Sequence, residues 1–169
     1  MHEGLNGGYF MSTWKMPPRA KIYEALSAVA DQRVTITGPT TAQVLSSSRD
    51  KTYDIVWSED MREIASNDNA SYWQGYIGYP IIAVLFKLGK LPFSTRIAEL
   101  LAGVPWKVVN NQFKRDYDKA INHVLDQVEA KGGKRAEIRQ EAERIYEQLG
   151  ALGLQHAQQR RQPPKGKQL

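Results

Sequence analysis

Between Pro80 and Gly89 lies a run, Ile81 to Leu88, in which only Lys87 is not apolar. Pro80 suits the first turn of a helix, and Gly89 suits the left-handed position just past its end. A helix that is apolar on nearly every face needs cover on all sides. It therefore belongs at the centre of the core, and the rest of the chain must be arranged around it. The run is also far too short to span a bilayer, so no membrane association is expected.

The flanking sequence supplies that cover from two kinds of element. Residues 1–16 are glycine-rich and lack periodicity, and read as a disordered or loosely docked N-terminus. Pro17 and Pro18 open a helix in which Ile22, Ala25, Leu26 and Val29 recur at helical spacing, ending near Asp31. Arg33 to Thr37 is alternating and β-branched, a strand that Gly38-Pro39 breaks. Ala42–Ser46 and Thr52–Ser58 form a β-hairpin around a serine-rich turn, with Val44 set to pair with residues such as Tyr53, Ile55 and Trp57. Ile64 begins a further short strand, and residues 66–71 are a loop by composition.

The second half reads as helical. Ser94 caps a helix over 95–102 with Gly103 at its end. Pro105 starts a long helix that runs to Gly132-Gly133 on the stripe Trp106, Val109, Phe113, Tyr117, Ala120, Ile121, Val124 and Val128. A last helix over 134–149 folds back on it as an antiparallel hairpin. Residues 150–169 read as a disordered basic tail. The fold class expected is α+β: a helix–strand–β-hairpin–helix module over 17–92, packed against a helical region over 93–149 that ends in a long helical hairpin.

Chemistry is constrained mainly by what is missing. The chain has no cysteine, which excludes disulfides, thiolate nucleophiles and thiolate metal sites. Its three histidines, His2, His123 and His156, share no ligand spacing, so no metal site is expected. Glu59, Asp60, Glu63 and Asp68 match no calcium or magnesium loop; a solvated turn is the plain reading, and acid–base work around the aromatic loop the alternative. Ser46-Ser47-Ser48 has no histidine placed to activate it, and no phosphate-binding glycine motif is present. No catalytic residue is assigned and no cofactor is called for. The N-terminus shows no secretory h-region, so the expected location is cytoplasmic.

The formal net charge is +5, which points toward nucleic acid, DNA or RNA. The charge is unevenly spread: residues 1–149 are close to balance, whereas 150–169 carry Arg160, Arg161, Lys165 and Lys167 and no acid. Residues 95–113 have the outline of a helix-turn-helix. Neither register is clean, because Asn111 or Glu99 falls where a buried or small residue belongs, and a simple helical corner is the competing reading. The candidate phosphate contacts are Trp106, Lys107, Lys114 and Arg115 near that corner, with the four tail cations. Tyr72, Trp73 and Tyr76 form a candidate aromatic surface for stacking bases; the alternative is that they cover the entry to the core helix.

The order YEALSAVADQRVTI, AQVLSSSRDKTYDIVW, a polar loop and GYPIIAVLFKLGKL, spanning Lys21 to Leu91, resembles the SWIM-type zinc-finger family. Ile81–Leu85 match the aliphatic end of that family's C-x-H-I-x-A-V-L run. Gly78 then stands at its third cysteine, Pro80 at its histidine, and the C-x-C pair falls within Ala65–Asn69. All four ligands are absent, so the resemblance implies a zinc-free relative in which apolar and aromatic residues replace the metal staple. It also implies binding to DNA or to proteins. The leading expectation is thus a non-enzymatic binding protein. A protein–protein or self-association module, homodimer included, using the stripes of 105–149 is the second, and an enzyme the third.

Overall fold

The computed structural model describes residues 12–157 and 162–164. In chain order the elements are α1 (Ala20–Ala30), β1 (Val34–Gly38), β2 (Thr41–Leu45), β3 (Thr52–Trp57), β4 (Glu63–Ser66), a π-helix (Ala70–Gln74), α2 (Tyr79–Lys87), α3 (Thr95–Leu100), α4 (Trp106–Gln112), α5 (Tyr117–Ala130), α6 (Arg135–Ala151) and β5 (Gln155–His156). The sheet runs β1-β2-β3-β4-β5, with the first four strands antiparallel and β5 parallel to β4. The class is α+β, as the sequence predicts.

The apolar run forms α2, buried from Pro80 to Phe86. It packs against β1 to β4 and against α1, and α1 in turn packs against α3, α5 and α6. These two helices therefore fill the space between the sheet and the C-terminal helices. Ile81, Ile82 and Leu85 are almost completely buried, and each contributes about 1.5–3 kcal/mol of burial free energy. In the hairpin Val44 lies opposite Tyr53 and Ala42 opposite Ile55, which puts Tyr53, Ile55 and Trp57 on the inward face.

Three expectations change. The first concerns the margins. Trp14 is in the core; its indole Nε1 donates to the Ile64 carbonyl (3.0 Å) and its ring stacks on His156 at 3.6 Å. Leu154 is buried too, and its carbonyl accepts from Trp14 N. Residues 12–16 and 152–157 are thus built into the sheet edge beside β4, because one large indole buries more area than the surrounding glycine-rich composition suggests. Residues 1–11 lie outside the described residues. The second concerns the loop of 66–71, which ends β4 and begins the π-helix.

The third is the long helix of 105–131, which is two helices. α4 closes at Phe113 with Arg115 N donating to Asn110 O and Lys114 N to Asn111 O, a 6→1 and 5→2 pair. Lys114 (φ 52°) and Arg115 (φ 65°) both take the left-handed conformation. Asp116 then caps α5, accepting from Lys119 N. The apolar stripe carries on through the break, which hides it from periodicity. Downstream, α5 and α6 close their stripes within this chain: Val124, Val128, Ile138, Ala142, Ile145 and Leu149 all belong to the single core cluster.

Candidate functional site

Helix α1 is buried from Ala20 to Ala28, and its polar residues Lys21, Glu24 and Ser27 are buried with it. Ser27 Oγ donates to Leu101 O (2.6 Å) and accepts from the indole Nε1 of Trp106 (2.8 Å). Trp106 is 2% exposed and is a core residue, so it cannot contact a phosphate backbone as the helical-corner reading expects. The indole is drawn in because its one polar atom finds the Ser27 hydroxyl.

One turn earlier, Lys21 and Glu24 pair with an Nζ–Oε2 distance of 3.1 Å. Burial pulls the Lys21 ammonium below its ordinary pKa, but the Glu24 carboxylate, with Tyr117 and Tyr76 beside it, more than offsets this and the net shift is upward. The ammonium lies 4.9 Å from the centre of the Tyr117 ring. Burial pushes the Tyr53 phenol up to about 12 and raises those of Tyr76 and Tyr79.

This pair floors a polar cavity of about 270 Å³, walled by the serine turn between β2 and β3, by α4 and by the strained corner at Arg115. The turn docks on α4: Lys107 N donates to Ser47 Oγ (3.2 Å), and Lys107 Nζ lies 3.4 Å from Asp50 Oδ2. Hydrogen bonds from Ser48 and Ser46, with the Lys107 charge, hold the Asp50 carboxyl down at about 2. A second, wider depression adjoins the cavity and shares Lys21, Asn69, Arg115 and Tyr117 with it. Trp73, Gln74 and Tyr76 form its other wall. A third continues past Trp73 to Lys15, Tyr72 and His156. The three make a groove bordered by five Lys or Arg side chains and only two carboxylates, Glu24 and Asp50.

The aromatic side of the groove is held by a buried carboxylate. Asp68 accepts from Ser66 Oγ (2.6 Å), Ser71 Oγ (2.7 Å) and Ser71 N (3.0 Å). Ser71 Oγ in turn accepts from Gly78 N (3.2 Å), so both ends of the aromatic segment are pinned to one point. A Cβ at position 78 would sit 2.3 Å from Asp68 Oδ2, so only glycine fits there. Above this knot Tyr72 packs edge-to-face on Trp73 (4.6 Å, 85°), and Trp73 stands 68% exposed on the π-helix. Tyr76 is half-buried, bridged by its backbone to Lys15. Tyr79, at the end of the segment, packs inward, edge-on to Tyr53, while Trp73 faces out.

Of the predicted site residues, Lys107, Arg115, Trp73 and Tyr76 border one continuous groove, Tyr72 flanks it, and Lys114 sits exposed on the same corner. Arg160, Arg161, Lys165 and Lys167 lie outside the described residues. Of the carboxylates considered for acid–base work, Asp60 is used within its own turn by Ser58 and Arg62 N, and Asp68 is tied up in the knot. Among the described residues no group of three or more His, Cys, Asp or Glu is placed to hold a metal ion, and no helix is long and apolar enough to cross a membrane. Sequence reading missed Lys21, Glu24, Lys51 and Tyr117. The only signal for them was a Lys–Glu pair at i, i+3, which on most helices marks the solvated face.

No curated protein and no solved structure matches the chain at a significant level. Residues 14–155 match the family described as uncharacterised conserved protein UCP014422, and the chain belongs to that family.

Proposed function

We propose that this protein is a non-enzymatic binding module for single-stranded nucleic acid, DNA or RNA, held along the groove from Trp73 to Lys107. The observation that carries the reading is that an exposed tryptophan and a cation in a strained backbone position, Trp73 and Arg115, line the same depression. Aromatic faces stack on unpaired bases of any sequence, and cations alongside contact the phosphates between them. A duplex hides its base faces, so single strands suit this surface better. Two further features support it. π-Helical turns and non-glycine residues at positive φ both concentrate at functional sites. The resemblance of residues 21–91 to SWIM-type modules also favours a binding role. The cytoplasm is the proposed place of action.

The test is fluorescence anisotropy of internally labelled single strands and duplexes, titrated with the full chain at several salt concentrations. Single strands are expected to bind more tightly than duplex, with affinity falling as salt rises. Trp73→Ala should weaken binding by about 1–3 kcal/mol, the effect of one lost base stack. Arg115→Gln should reduce the salt slope by about 1. A chain with Arg160, Arg161, Lys165 and Lys167 all changed to Gln should keep the Trp73-dependent part. Binding that vanishes in the tail variant and ignores Trp73 would refute the proposal.

A further inference from the structure

We infer that the closed end of this groove, the polar cavity between the Ser46–Lys51 turn and α4, takes the terminal phosphomonoester of the bound strand. The inference rests on the single-strand reading above and adds where the strand stops and what its last group is. Travelling from Trp73 past Arg115, a strand enters the cavity and meets a wall. The serine turn is fastened to α4 by the Lys107 N–Ser47 Oγ hydrogen bond and the Lys107–Asp50 ion pair. The space before that wall is about 270 Å³. It is of a size to receive one phosphate with its sugar.

The charge in the cavity fits a terminal group better than an internal one. Four cations line it, Lys21, Lys51, Lys107 and Arg115, against the carboxylates of Glu24 and Asp50. Glu24 is held by Lys21, and Asp50 by Ser46, Ser48 and Lys107. Lys51 and Arg115 form no ion pair with any described residue. Two uncommitted positive charges match a phosphomonoester, which carries about −1.5 to −2 at pH 7, whereas an internal phosphodiester carries a single negative charge. The cavity also offers the sugar a partner. Asn110 lines it, and its Oδ1 is buried with no hydrogen-bond partner among the described residues. The 2′-hydroxyl of a ribose donates where that oxygen accepts.

The experiment compares one internally labelled strand in three forms, with a 5′-phosphate, a 3′-phosphate or hydroxyls at both ends, against the full chain at fixed salt. One phosphorylated end is expected to bind about tenfold more tightly than the hydroxyl form, the effect of one charge-assisted hydrogen bond. Which end gains fixes the strand's direction in the groove. Inorganic phosphate should compete that advantage away, as should lowering the pH through the phosphate's second pKa near 6. Lys51→Gln should narrow the gap between phosphorylated and hydroxyl forms by about threefold or more. Equal binding of all three forms, or an equal gain from either phosphate, would overturn the inference while the groove reading stands. Failure of every strand to bind would overturn both.

Discussion

Breaking the ion pair beneath the groove is the sharpest test of the packing described above. Lys21 and Glu24 are 8% and 5% exposed, between α2 and the C-terminal helices. Removing one partner of a buried pair leaves the other charge desolvated and uncompensated, at a cost of about 3–5 kcal/mol. Glu24→Leu and Lys21→Met are each expected to lose that much. In a chain of 169 residues each kcal/mol lowers Tm by about 2–4 °C, so the drop is roughly 6–20 °C. The double variant Lys21→Met with Glu24→Leu removes both charges, and should be more stable than either single variant.

The assay is urea unfolding at neutral pH followed by circular dichroism, with the four proteins arranged as a double-mutant cycle. Because the Lys21 pKa is raised in the folded state, its contribution is complete below about pH 10.4 and is lost only as pH rises through the still higher folded value. The cycle is therefore insensitive to pH between neutrality and about pH 9. Single variants that each cost less than about 1 kcal/mol would mean the pair behaves as a solvated one. A double variant that costs the sum of the singles would mean the two side chains are not coupled. Either result would refute the burial argument.

Ser27→Ala leaves the buried Trp106 indole without its acceptor and should cost about 1–3 kcal/mol in the same urea assay; an unchanged midpoint would show that the Ser27–Trp106 bond carries no stability. Lys114→Gly should raise stability by about 1 kcal/mol, because glycine takes the left-handed conformation without strain, and a lower unfolding midpoint would contradict the strain assigned to that corner. Spectroscopic titration should find Tyr53 ionising near pH 12, against about 10 for a free phenol. Since the folded value is the higher one, the stability this phenol contributes is complete below about pH 10 and lost as pH climbs toward 12. Ionisation of every tyrosine near pH 10 in the folded protein would rule out the burial of that ring.

The elements that were legible in the sequence are those whose local signals agree with their surroundings. Pro80 and Gly89 bracket α2, Ser94 caps α3 with its hydroxyl on Ile97 N, and the hairpin register follows from alternation in Tyr53, Ile55 and Trp57. Legibility failed where a long-range contact overrode a local pattern. Nothing near Trp14 predicts that its ring will stack on His156 across the whole length of the chain. Helix α5 begins at Tyr117, after its Asp116 cap, because the two residues before the cap accept a left-handed backbone, and the apolar repeat keeps its spacing through that interruption.

The site was illegible for a related reason. Pattern reading assigns charged residues to the outside, so Lys21 and Glu24 on α1 read as surface. Here the helix is covered all round, and its polar residues are inside because they face one another and a polar cavity. The corner at Lys114 and Arg115 makes the same point from the backbone. Stability alone would favour glycine at the left-handed position after α4. The chain instead sets two cations in consecutive left-handed positions, each at a cost of about 1–3 kcal/mol. That strain persists because the surrounding helices fix the turn, and its result is to hold Arg115 on the wall shared by both depressions. A residue placed against its own backbone preference, over a buried ion pair and facing an exposed tryptophan, is better explained by what it contacts than by what it stabilises.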